Sequence, residues 1–136
     1  MILMTTARLI AVACQDEATL SVADRRLFPL LREAGLTDDF LSRGLKAGRY
    51  QSREIQCDGR PLYVVYFAVG DKTIYYAAGA SVSDEQRPDL LFEGLEIIAR
   101  QCGCDRIVFN TKRAGLVRLA VDTGYETRGV ALEKIL

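Results

Sequence analysis

Leu95-Glu-Ile-Ile-Ala-Arg-Gln-Cys-Gly-Cys-Asp-Arg-Ile-Val-Phe109 changes its hydrophobic period in mid-course, and the residues on either side follow from that change. Leu91, Leu95, Ile98 and Cys102 fall on one helical face with Leu90, Gly94 and Ile97 beside it, so Asp89–Cys102 reads as an amphipathic helix. Pro88 suits the first helical position, where a missing N–H costs no hydrogen bond. Gly103 suits the stop, because glycine accepts the left-handed conformation that ends many helices. Asp105–Phe109 then reads as a buried strand. Downstream, a short helix is expected near Arg113–Asp122, ended by Gly124, and Tyr125–Leu136 supplies one or two closing strands.

Upstream lies a meander. Tyr50–Cys57 alternates, Leu62–Val69 is β-branched and aromatic, and Thr73–Ala80 forms a third strand. Asp58-Gly59 joins the first pair by a tight hairpin turn, since such turns demand the positive φ that glycine accepts. Gly70-Asp71-Lys72 makes the second turn, and Gly79 is the expected site of a bulge in the third strand. Further toward the N-terminus, Leu20, Ala23, Leu27, Leu30 and Leu31 recur at helical spacing between Asp16 and Ala34. Pro29 is expected to end or kink that helix, and Gly35 to stop it. Asp38 or Asp39 caps a short second helix carrying Phe40, Leu41 and Leu45, which Gly48 ends. Ala7–Cys14 reads as a buried strand; Arg8 interrupts its apolar run and no basic segment precedes it, which argues against a signal peptide. The order is β-α-α-β-β-β-α-β-α-β, a single α/β domain over residues 1–136.

Composition narrows the chemistry. The 136 residues carry 18 basic and 18 acidic side chains, a zero balance that argues against a nucleic-acid or membrane-surface binder. There is no histidine, which excludes imidazole bases, His-dependent triads and His-rich zinc sites. Cys14, Cys57, Cys102 and Cys104 are too scattered for a disulfide framework, and Cys102-Gly-Cys104 is tighter than zinc-knuckle spacing, so no metal is expected. Free thiols in apolar surroundings indicate the cytoplasm.

The element order, together with Leu95–Ile107 and Arg113-Ala-Gly-Leu-Val-Arg-Leu-Ala-Val-Asp-Thr-Gly-Tyr-Glu126, resembles the GCN5-related N-acetyltransferase (GNAT) superfamily. The first stretch is similar to that family's long helix, its Gly-Cys exit and its fifth strand. The second is similar to its next helix and Gly-Phe/Tyr-Glu corner. Thr111-Lys-Arg-Ala-Gly-Leu-Val-Arg118 also resembles GNAT-like proteins carried by bacteriophages and prophages. The resemblance implies a mixed central sheet, a bulge in the fourth strand that opens an acyl-CoA cleft, and acetyl transfer from acetyl-CoA to a small-molecule or protein amine. A homodimer through an exposed face of the closing strands is compatible with it.

In that family the fourth strand runs into an Arg/Gln-x-x-Gly-x-Gly/Ala loop at the start of the long helix. Its glycines let backbone N–H groups approach the coenzyme A pyrophosphate. The corresponding stretch here is Val82-Ser-Asp-Glu-Gln-Arg-Pro-Asp-Leu-Leu91, in which Pro88 and Leu90 stand in place of glycines and Asp84, Glu85 and Asp89 surround Arg87. Val82, Ser83 and Arg87 are the cofactor-binding candidates of this degenerate loop. The family's usual tyrosine acid is replaced by Ala120, which leaves Tyr75, Tyr76 and Tyr125 as substitutes and Glu54 as the candidate base. Arg25, Arg26 and Arg32 read as a solvated helix face, and Lys112, Arg113 and Arg118 as a small basic cluster without interleaved aromatics. The reading is a divergent N-acetyltransferase; the alternative is a non-catalytic interaction or assembly module on the same fold.

Overall fold

The computed structural model describes residues 8–14, 16–84, 87–110, 118, 120–122, 124–128 and 131–136. Strand β1 (Leu9–Val12) is followed by helices α1 (Glu17–Glu33) and α2 (Phe40–Lys46). Strands β2 (Gln51–Cys57), β3 (Arg60–Gly70) and β4 (Thr73–Ser81) form the meander. Helix α3 (Pro88–Gln101), β5 (Arg106–Asn110), β6 (Glu126–Arg128) and β7 (Ala131–Ile135) complete the order. Most of the expected helix at Arg113–Asp122 lies outside the described residues, but Arg118 and Ala120–Asp122 are helical.

Among the described residues seven strands join one sheet in the order β1-β2-β3-β4-β5-β7-β6. Every neighbouring pair is antiparallel except β4–β5, which is parallel. A parallel pair needs a crossover, and α3 supplies it on one face. That face carries the larger core, in which Ile55, Val65, Phe67, Ile74 and Ile107 meet Phe92, Leu95 and Ile98 of α3. On the other face Ala23, Leu27 and Leu31 of α1 pack with Leu41 of α2 over Val64, Tyr66 and Ala80.

Local sequence explains most element ends. Asp16 caps α1, its carboxylate accepting from the Ala18 N–H at 3.0 Å and the Thr19 hydroxyl at 3.1 Å. Asp58 (φ 52°) and Gly59 (φ 79°) are both left-handed, the geometry that lets a two-residue turn follow the strand twist. The second hairpin differs from expectation: Gly70 stays in β3, while Asp71 and Lys72 take the left-handed positions at 50° and 57°. Aspartate tolerates that region through its short polar side chain.

Two further expectations are corrected, and of the two outcomes expected at Pro29 the end of the helix is excluded. α1 runs through Pro29 to Glu33 without ending. Pro29 and Arg25 are both exposed, so the carbonyl deprived of a donor meets water rather than core. Leu30, read as part of the apolar face, is exposed. The bulge falls on Ala77 rather than Gly79, because Phe67 pairs with Tyr76 and Tyr66 with Ala78. The extra residue reverses the alternation of β4, so Ile74 and Tyr76 face α3 whereas Ala78 and Ala80 face α1.

Candidate functional site

The bulge coincides with an opening in the sheet. β4 and β5 share only the pairs Thr73–Arg106, Ile74–Ile107 and Tyr75–Val108. Past Tyr75 and Val108 no ladder pair joins the two strands among the described residues, although β4 continues to Ser81 and β5 to Asn110. Ala77–Ala80 therefore present a strand edge toward the gap. An edge of this kind offers alternating N–H and C=O groups to whatever lies against it.

Aromatic rings line the α3 side of the opening. Tyr76 and Phe109, the first residues beyond the last pair, meet edge to face with centroids 5.9 Å apart. Phe109 also meets Tyr125 at 5.3 Å and Phe92 of α3 at 5.4 Å. Gly79 makes room for this arrangement, since a Cβ there would stand 3.2 Å from Cε2 and Cζ of Tyr76 and nearer still to its hydroxyl. The Tyr125 ring is 2% exposed, and its hydroxyl is buried with no hydrogen-bond partner among the described residues. Burial, with a smaller contribution from the Glu96 carboxylate, raises its pKa above the ordinary tyrosine value. Glu96 itself forms an ion pair with Lys134 of β7, which also lies 5.8 Å from the centre of the Tyr125 ring.

At the far end of β4 the chain turns into α3. The Val82 N–H donates to the Leu62 carbonyl at 2.9 Å, prolonging the β3–β4 pairing. The Ser83 carbonyl accepts from the Ser81 hydroxyl at 2.7 Å and from Arg26 of α1 at 3.3 Å, and Arg26 also donates to the Ser81 carbonyl at 2.6 Å. Arg25, Arg26 and Arg32 are exposed as expected; Arg26 in addition clamps this turn, and Arg32 pairs with Asp38 at 2.6 Å. Arg87 is the N-cap of α3; its N–H donates to the Tyr63 hydroxyl at 2.8 Å. Its guanidinium grips Asp89 through two hydrogen bonds of 3.0 and 3.2 Å. That guanidinium holds the Asp89 carboxyl below the usual carboxylate range, assisted by the N–H groups of Leu90 and of Asp89 itself. A carboxylate of the chain therefore already stands beside Arg87 in the first turn of α3.

Glu54 lies on the opposite face of the sheet. It is 7% exposed and accepts from the Gln56 amide and, at 3.7 Å, from the Cys14 thiol. Burial first, and then the Glu54 carboxylate, push the Cys14 pKa up to about 11. On the same face the Tyr66 hydroxyl donates to Asp24 of α1 at 2.6 Å. Burial and then this carboxylate raise the Tyr66 pKa.

Of the residues singled out by sequence, Tyr76 and Tyr125 are brought together around Phe109, and Val82, Ser83 and Arg87 follow one another at the turn into α3. Glu54 lies across the sheet from Tyr76 and Tyr125, on the α1 face against which Val82 also packs. Tyr75 points to neither: it is 45% exposed. Lys112 and Arg113 lie outside the described residues. Sequence reading missed Phe109, Arg26 and the Arg87–Asp89 grip. Only the last left a local signal, an Arg and an Asp flanking a proline at a helix start. Among the described residues no three His, Cys, Asp or Glu side chains form a metal-holding group. No described helix is long and apolar enough to cross a membrane.

No protein-family model and no curated protein matches the sequence. Solved structures do match the fold. An aminoglycoside 6'-acetyltransferase type Ii superposes with a TM-score of 0.68 at 9% identity, over 92% of this chain and 96% of that one. The GNAT domain of S. lividans PAT gives 0.65 at 16% identity, over 97% and 92% of the two chains. A Bacillus subtilis acetyltransferase in complex with CoA gives 0.64 at 13% identity, over 96% and 99%. With its parallel β4–β5 pair parting beside a bulge, the chain has the fold of the GCN5-related N-acetyltransferases.

Proposed function

We propose that the protein is an N-acyltransferase that takes an acyl group from an acyl-CoA and transfers it to an amine. The observation that carries this reading is the parting of β4 and β5 after three pairs at the Ala77 bulge. The edge at Ala77–Ala80 suits the two amides of a pantetheine arm, which can pair with it as a further strand would. When bound, the CoA thioester supplies an activated acyl carbon. The amine attacks that carbon, the carbon–sulfur bond breaks, and one proton passes from nitrogen to sulfur. Tyr76 and Tyr125 stand beside the opening as candidate proton donors, while Glu54, across the sheet, is the candidate for receiving the amine proton through water.

The residues fit the arm better than the phosphates. Pro88 brings no N–H, and the Asp89 carboxylate adds a negative charge to the first turn of α3. Arg87 is the cation available to a pyrophosphate, with Val82 and Ser83 lining the approach, once Asp89 yields it. This same grip favours a second reading, a GNAT-fold module that binds a partner rather than CoA.

Calorimetry of the purified chain with CoA and acetyl-CoA decides between them. The acyltransferase reading expects binding in the micromolar range, lost in Arg87→Glu, and release of free thiol when amines are added. Absence of heat at millimolar ligand overturns it in favour of the interaction module.

A further inference from the structure

The stop of α3 brings two thiols to one small residue. Cys102 is the C-cap of the helix and stands one turn after Ala99, so the two share a helix face. Gly103 follows in the left-handed region at φ 68°, its N–H on the Arg100 carbonyl at 3.2 Å. The Cys104 N–H then returns to the Ala99 carbonyl at 2.8 Å. A double closure of this kind sets the residue after the glycine against the last full turn of the helix, here Cys104 against Ala99. Cys104 is 6% exposed, and Cys102 is half-buried against the same core. The Cys104 thiol folds back and donates to the Cys102 carbonyl at 3.8 Å. Burial, then Cys102 and the Asp105 carboxylate, raise the Cys104 pKa above the ordinary thiol value.

Distance follows from the turn. Two Cα steps of about 3.8 Å, bent at a left-handed residue, leave their ends about 5.5 Å apart. A disulfide bridges Cα atoms roughly 4.4–6.8 Å apart. The backbone on either side is pinned, since the Gln101 amide donates to the Ala11 carbonyl of β1 and the Asp105 N–H to the Lys72 carbonyl, each at 2.9 Å. All four cysteines are free thiols in the structure. We infer that Cys102 and Cys104 form a thiol–disulfide exchange site, a dithiol that takes a low-molecular-weight disulfide as oxidant and closes across Gly103. Cys102, the more accessible of the two, attacks first: its thiolate bonds to one sulfur of the small disulfide, and one small thiolate leaves. The Cys104 thiolate then attacks the Cys102 sulfur, and the second small thiolate leaves. The two protein protons end on the two thiols released, so the pair loses two electrons and the small disulfide gains them. This site goes beyond the acyltransferase reading and does not depend on it.

The test uses the tryptic peptide Gln101–Arg106, which holds both cysteines. The folded full chain is equilibrated with glutathione and increasing glutathione disulfide, remaining thiols are blocked, and the peptide is weighed. It is expected to lose two hydrogens and to carry no glutathione. Closure in the folded chain should need about ten-fold less glutathione disulfide than in the same chain unfolded in urea, because the turn holds the sulfurs together. Cys104→Ser should stop at a glutathione adduct on Cys102, and Cys102→Ser should leave Cys104 slower to react than Cys102 is in the parent. A parent peptide that keeps both thiols, or that carries glutathione without closing, overturns the inference and needs no variant to fold. So does closure that is no easier in the folded chain than in urea.

Discussion

Gly94 is where α3 comes closest to the sheet, and replacing it by alanine tests how the site is held. An ideal Cβ at this position would stand 2.8 and 2.9 Å from Cγ1 and Cγ2 of Ile55, and closer still to Cδ1. Ile55 is fully buried, and all three of its outer carbons are involved, so no rotamer change frees the space. The helix must back away from β2. Overpacking of this kind costs about 1–3 kcal/mol, and contacts under 3.0 Å on three atoms place Gly94→Ala near the upper end. Alanine returns about 1 kcal/mol through its better helix propensity, leaving a net loss of about 1–2 kcal/mol. In a domain of this size that lowers the melting temperature by about 4–8 °C. The assay is thermal and urea unfolding of the parent, Gly94→Ala, Ile55→Val and the double variant. Ile55→Val removes Cδ1, the nearest atom, so Gly94→Ala should cost measurably less in that background. A Gly94→Ala protein as stable as the parent, or a double variant showing strict additivity, would refute the close-packed helix–sheet contact.

Other outcomes follow from single contacts. Tyr125→Phe removes a buried hydroxyl that has no partner among the described residues, so it should leave stability unchanged or raise it by about 1 kcal/mol; a loss of that size in urea unfolding would mean that the hydroxyl is bonded. Asp89→Asn frees Arg87 and takes one negative charge from the α3 start, and CoA affinity measured by calorimetry should rise about five- to ten-fold at low salt. Unchanged affinity would show that the Arg87–Asp89 grip is irrelevant to ligand. Cys14 should react with iodoacetamide about 100-fold more slowly at pH 8 than an ordinary thiol with a pKa of 9.0, because a pKa of about 11 lowers its thiolate fraction by that factor. The sign also fixes the pH course of stability: the raised thiol pKa contributes fully below pH 9.0 and is lost as pH rises through about 11, which alkaline unfolding of Cys14→Ala against parent will read.

The arrangement also explains why this scaffold tolerates an unusual helix start. A phosphate cradle normally leaves its amides open for a ligand, and an unliganded helix terminus is left with unmet donors. Here the Arg87 guanidinium holds the Asp89 carboxylate in the first turn, and the Tyr63 hydroxyl accepts the Arg87 N–H from the sheet side. The carbonyl side of the turn into α3 is equally committed, through Arg26 to Ser81 and Ser83.

Sequence by itself determined whatever a few neighbouring residues decide. The span of α3 follows from Pro88, a helical apolar stripe and Gly103; the first hairpin follows from Asp58-Gly59; the lack of any glycine in Val82–Leu91 is read directly from the sequence. Backbone sterics and short-range periodicity act within a turn or two, so these features are written locally. Tertiary structure alone decided the rest. Whether the bulge falls on Ala77 or Gly79 depends on which residues of β3 stand opposite, and the two strands' own sequences allow either. The meeting of Tyr76 with Phe109 and the clamp of Arg26 on Ser81 join positions 33 and 55 residues apart. Such contacts follow from the packing of a whole sheet between its helices, where burial is shared by many side chains and no short window of sequence records who the partner is.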